Sequence, residues 1–210
     1  PVEYPVLTAV VIQASAYVAT ALADAGDSSD DAAGQVLAGS VRFYDITAVL
    51  MGLAALGAVV ATARTVPRRP WDAMLVAASP VLLLTATINW DLLAVALTSL
   101  AILAWTRDRH VLAGLMVGLG AAAKLYPVLL LGPMLVLALR AADRRRALGG
   151  FLTTLGTAVA AWMAVNLPVL LWAPEGWRHF YTFNSERGAD LVLGLGDERG
   201  WRLQAEARLG

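Results

Sequence analysis

What most constrains this chain is a rhythm in which apolar stretches alternate with short turns rich in arginine. A helical crossing of a bilayer takes about 20 apolar residues, with roughly 17–25 tolerated, because each residue rises only about 1.5 Å. Seven hydrophobic segments can be marked out: Val6–Ala23, Ile46–Ala63, Trp71–Ile88, Leu92–Trp105, Val111–Ala123, Leu125–Leu139 and Leu148–Trp172. Between the first two, Asp24 to Ser40 reads as a polar loop, its aspartates too acidic to enter lipid. The pattern predicts an all-α fold, a polytopic transmembrane helical bundle that passes the cell membrane several times.

Composition agrees and removes other classes. The chain is 59% hydrophobic and 15% charged, against about 45–50% and about 25% for soluble domains. Its formal net charge is zero and it has no basic stripe, so nucleic acid is not an expected partner. Cysteine is absent, which excludes a disulfide scaffold, a thiolate metal site and a cysteine nucleophile. His110 and His179 are too far apart to form a zinc motif, and neither a metal nor a cofactor is expected. No repeat of 20–50 residues marks a solenoid. The chain opens at Pro1 without a signal-peptide n-region, and Leu191 to Gly210 lose the apolar character of what precedes them. Residues 1–190 therefore read as part of a larger membrane domain, and 191–210 as an atypical tail.

Arginine gives the orientation. The turns at 64–69, 107–109 and 140–146 are the basic ones, and two hydrophobic segments separate each from the next. All three can share a side, which the positive-inside rule makes cytoplasmic. Asn89-Trp90-Asp91, Lys124 and the stretch from Ala173 onward then face the opposite side. Val111–Ala123 is the exception in length. At 13 residues it rises about 20 Å, short of a hydrocarbon core of about 30 Å. Gly114, Gly118 and Gly120 would let a helix here approach a neighbour's backbone, and so short a helix would leave Lys124 part-way into the membrane. A single kinked helix over 111–139 is the competing reading.

Few polar residues lie within the apolar stretches, and these are the candidates for function. Lys124 is the single lysine in a chain whose other cations are arginines. It reads either as a lysine snorkelling at a helix end or as a point charge that receives a phosphate beside the break at Tyr126-Pro127. Asp91 reads as the N-cap of the next helix, as site lining, or as both. Asp45 has the capping explanation alone. The stretch 173–190 is an interfacial amphipathic helix or a binding loop. It carries Glu175, Trp177, Arg178, His179, Tyr181, Asn184, Glu186 and Arg187, whose aromatic, carboxylate and guanidinium groups suit a sugar and its phosphate.

Taken in order, EYPVLT, INWDLLAVAL, AGLMVGLGAAAKLYPVLLLGP and NLPVLLWAPEGWRHFYTFNSERGAD resemble membrane proteins of glycosyltransferase family 87. The resemblance spans about residues 3 to 190. It implies a GT-C fold and an enzyme similar to polyprenyl-phosphate-mannose-dependent mannosyltransferases, working at the extracytoplasmic face of the plasma membrane. The implied partners are a polyprenyl-phosphate sugar donor, a glycolipid or glycan acceptor, and membrane lipids. On this reading Lys124, Tyr126, Asn89, Asp91, His179, Tyr181, Glu186 and Arg187 bind donor or substrate. The catalytic residue itself is unknown. The family's acidic base lies in a loop before the YP motif, upstream of Pro1, so this piece alone is expected to be inactive.

The resemblance and the arginines disagree over residues 1–40. If Tyr4-Pro5 follows an extracytoplasmic loop, the first span runs inward, whereas the arginine alternation has it run outward. Two other functions compete with the transferase. A secondary transporter or flippase would use intramembrane Lys and Asp for coupling and show inverted repeats. A non-catalytic membrane subunit would not need Lys124 and Asp91 on a common face.

Overall fold

A computed structural model describes residues 4–23, 32–178 and 182. The acidic stretch 24–31 and the tail 191–210 lie outside the described residues, as do His179, Tyr181, Asn184, Glu186 and Arg187. The described chain is helical throughout: α1 (Val6–Ala23), α2 (Ala32–Thr65), α3 (Met74–Ala77), α4 (Pro80–Thr85), α5 (Asp91–Trp105), α6 (His110–Ala123), α7 (Leu131–Arg140) and α8 (Arg144–Trp172). Short 3-10 turns at Pro70–Ala73 and Tyr126–Leu130 lead into α3 and α7. Among the described residues three helices, α1, α2 and α8, are long and apolar enough to cross a membrane. Large apolar side chains such as Val10, Leu53 and Leu171 stay exposed on them, as lipid-facing surfaces require. This is an all-α membrane protein.

Four details depart from the sequence expectations. The polar loop is shorter than Asp24–Ser40, because α2 already begins at Ala32. Ala32 to Ser40 contains no proline, and the second half of α1 flanks it. Asp45 therefore sits inside a helix and caps nothing. Trp71–Ile88 is not a single span. Pro80 drives Ser79 to an extended ψ of 121° and starts a new helix, splitting the segment into α3 and α4. Nor do residues 111–139 form one kinked helix, since Lys124 is fully extended between α6 and the next turn.

The centre of the bundle is α6, packed against α8, α5 and α1. Its contact with α8 is backbone to backbone. A Cβ on Gly114 would lie 2.2 Å from the Thr154 carbonyl oxygen, and one on Gly118 2.3 Å from that of Ala158. Small residues four apart permit this approach between membrane helices. Thr154 is wholly buried and donates to the His110 carbonyl at 3.1 Å, tying α8 to the start of α6. The two helices run parallel, so both begin at the same end of the molecule.

The basic turns 107–109 and 140–146 meet at that end. Trp105, His110, Ala141, Asp143 and Arg146 line one pocket there, where the edge-on rings of Trp105 and His110 lie 5.1 Å apart. The turn between α5 and α6 closes through Asp108 at φ 55°, a left-handed conformation that Asp tolerates better than most residues. At the other end, Phe43 of α2 meets Trp90 at 6.5 Å and the Tyr44 hydroxyl bonds Thr87 at 3.2 Å.

Helix lengths show what happens between the two ends. With 15 and 14 residues, α5 and α6 rise about 22 and 21 Å. With 34 and 29 residues, α2 and α8 rise about 51 and 43 Å and overshoot them. The disagreement over residues 1–40 has a structural answer here. Thr8 of α1 bonds the last turn of α6, while Ala16 to Ala23 face Gln35 to Phe43 of α2 across a cleft. Both halves of α1 therefore lie at the Lys124 end, and α1 does not run beside α6 toward the arginines.

The glycine contact is testable by overpacking. Gly114→Val should destabilise the protein by at least about 1–3 kcal/mol, read as a lower unfolding midpoint in detergent. Gly52→Ala, where a Cβ meets nothing within 4 Å, should leave that midpoint unchanged or raise it.

Candidate functional site

The site begins with the way α6 ends. Pro127 has no N–H, so the Ala123 carbonyl four residues earlier loses its helical donor. In a membrane an orphan carbonyl is costly. The buried Thr8 hydroxyl fills the vacancy, donating to the Ala123 carbonyl oxygen at 2.8 Å. Released from the helix, Lys124 adopts φ −161° and ψ 140° and projects away from the helix axis.

Across from it stands the start of α5. The Asn89 side-chain oxygen accepts the Asp91 backbone N–H at 3.1 Å, closing an Asx turn of the usual i to i+2 form. The cap position itself belongs to Trp90, with no side-chain bond. The expectation that Asp91 is the N-cap is therefore corrected. Asn89 supplies the side-chain acceptor, and the Asp91 carboxylate is left for another partner. That partner is Lys124, whose Nζ donates to Asp91 Oδ1.

The ion pair explains how a cation is held there. A lone ammonium inside a membrane costs several kcal/mol, and a carboxylate partner offsets much of that. Lys124 and Asp91 remain 48% and 43% exposed, so both can be reached from outside the bundle. Tyr126, two residues on, lies beside Thr98 of α5 and within the electrostatic reach of Asp91. A cleft of about 380 Å³ opens beside Asp91, bounded by Ser79 and Leu82 from the broken segment and by Asn89, Leu92 and Val95. Among the described residues no group of three or more His, Cys, Asp or Glu could hold a metal ion.

Of the eight residues singled out in the sequence, Lys124, Asp91, Tyr126 and Asn89 come together here. The other four, His179, Tyr181, Glu186 and Arg187, lie outside the described residues. The part of their segment that is described packs at the same end of the molecule. After a break at Ala173, Pro174 to Arg178 form one more helical turn, and the Trp177 indole donates to the Asn166 side-chain oxygen at 3.1 Å. Thr8 and Asn166 escaped the sequence reading. Each is a polar residue within an apolar run, which was the available signal, but neither carries a charge that demands a partner.

The family is now identifiable. The sequence profile of glycosyltransferase family 87 matches residues 4–195, and the chain belongs to that family. It is a membrane glycosyltransferase, whose partners are a sugar donor, an acceptor and the surrounding lipids. No curated protein and no solved structure matches it.

The Asx turn can be checked directly. Asn89→Ala should cost about 1 kcal/mol in detergent unfolding, and Asn89→Ser, which keeps a side-chain acceptor, should recover part of it.

Proposed function

We propose that the protein is a GT-C-type enzyme that moves mannose from a polyprenyl-phosphate donor to a glycolipid or glycan acceptor at the extracytoplasmic face of the plasma membrane. The observation that carries this reading is the Lys124–Asp91 pair at the end of a short helix, in a chain of this glycosyltransferase family. A structural subunit would gain the same relief from pairing its charges, so the family match decides against it. Family membership favours the transferase over a transporter or flippase.

In the reaction, the bond from the sugar's anomeric carbon to the donor phosphate breaks and one to the acceptor oxygen forms. The acceptor hydroxyl proton passes to a base, and polyprenyl phosphate leaves with an added negative charge. Lys124 binds that phosphate, where a fixed cation stabilises the departing charge more as it grows. Asp91 holds the ammonium in place before the donor arrives and lines the site. Tyr126 and Asn89 complete the donor side, and His179, Tyr181, Glu186 and Arg187 serve the sugar and acceptor.

The short helices support the membrane setting. With the arginine turns at the cytoplasmic surface, about 21 Å of α6 leaves Lys124 below the far edge of a core of about 30 Å. A phosphate at the head of a lipid could meet it there.

In the full-length enzyme, Lys124→Ala should lower transfer from a radiolabelled polyprenyl-phosphate-mannose donor by about 10²-fold or more, the scale of losing one charge-stabilising group. Lys124→Arg should restore it only in part, because guanidinium differs in shape and hydration. Unchanged turnover in Lys124→Ala would overturn the phosphate role. For orientation, a cysteine replacing the exposed Glu175 should react with an impermeant maleimide on intact cells, and one replacing Arg145 only after permeabilisation.

A further inference from the structure

A second cavity lies at the Lys124 end, apart from the ion pair. It has a volume of about 340 Å³ and opens between the first turns of α1 and the end of α8. Its wall is mostly apolar, led by Val6, Val10 and Val169, and Tyr4, Gln13, Asn166 and Trp177 add aromatic and amide groups. Asn166 is 3% exposed, and both ends of its amide are engaged. The nitrogen donates to the Trp162 carbonyl at 3.0 Å, and the oxygen accepts from the Trp177 indole at 3.1 Å. A buried amide held at both ends cannot turn. Its oxygen therefore anchors the N–H edge of the indole that lines the cavity.

This chemistry has a preferred occupant. A hexopyranose ring has an apolar face of C–H groups and a rim of hydroxyls, and it fits an aromatic wall with an amide at its edge. A hydrocarbon chain would gain nothing from Gln13 or the Tyr4 hydroxyl. The cavity also adjoins the reacting end. Thr8, whose hydroxyl caps the carbonyl just before Lys124, lies on α1 between Val6 and Ala9, which line the cavity. We infer that the α1–α8 cavity is a saccharide subsite, with Trp177 as its stacking wall and Asn166 as the positioning residue that orients it. The inference rests on the transferase reading and adds to it a second place where a sugar is held.

Binding and turnover test it separately. Saturation-transfer NMR on the full-length protein in nanodiscs, with methyl α-mannopyranoside or methyl α-glucopyranoside as probe, should show transfer to ring protons. Farnesol serves as the hydrocarbon probe. Trp177→Leu and Gln13→Leu should abolish the sugar signal, while Lys124→Ala should keep it. Asn166→Leu should weaken it and shift the indole emission, and Asn166→Gln should recover part of both. Because Gln13 is exposed, its variant should fold even if Asn166→Leu does not.

In the transfer assay, Gln13→Leu and Trp177→Phe should raise one substrate's KM about tenfold or more, as expected when a hydrogen bond or an oriented ring is lost. In both variants kcat should stay within about threefold, a change worth under 1 kcal/mol at the barrier. A raised acceptor KM places the acceptor's sugar in the cavity, and a raised donor KM places the donor's. No sugar signal in the wild type, a signal indifferent to Trp177→Leu and Gln13→Leu, or transfer to farnesol alone would overturn the subsite. Loss of turnover in Lys124→Ala with the sugar signal intact supports both readings. Full turnover in that variant with the signal intact overturns only the phosphate role.

Discussion

Gly114 and Gly118 bring the backbone of α6 against that of α8, where any larger side chain would meet a carbonyl oxygen. The Lys124 end depends on this contact. It sets α6 parallel to α8 and fixes the level at which a helix of only 14 residues stops. Close packing of small residues is a main source of helix association in lipid, where apolar surface gains nothing by leaving the solvent. Thr154 adds a hydrogen bond at the start of the same interface.

The end of α6 then depends on one missing proton. Pro127 cannot donate to Ala123, so a donor must come from elsewhere, and Thr8 brings α1 to that spot. The capped carbonyl, the extended Lys124 and the placement of α1 are thus linked. Asn89 plays a matching part on α5, taking the Asp91 amide and leaving the carboxylate to the ammonium. Two local defects, a helix stopped by proline and a helix started by an Asx turn, face each other and make a polar site inside an apolar bundle.

The surrounding lengths give the site its character. Helices α2 and α8 continue past the pair, and α1 joins them there, so the space beyond Lys124 has helical walls while the pair stays half exposed. The second cavity lies among these same elements, between α1 and the end of α8. The enzyme class is shown by family membership, and the placement of the charged pair is what this structure adds to it.

Much of this was legible in the sequence. Hydrophobic length alone marked out α1, α5 and α6 to within a residue or two, and two of the basic turns, 107–109 and 140–146, do meet around one pocket. Lys124 and Asp91 stood out because charge inside an apolar run is expensive wherever the fold places it. Their pairing was not legible, because 33 residues separate them and no local rule sets a distance between two helix ends. Nor were the roles of Thr8 and Asn166, whose neutral groups impose no visible cost until a neighbour's orphan carbonyl or indole comes within reach. The path of α1 was likewise undecided, since its length and apolarity suit a full crossing. Local composition determines which segments are helical and which can enter lipid. Only tertiary packing decided which helix ends meet, because that depends on how closely two glycines let backbones approach.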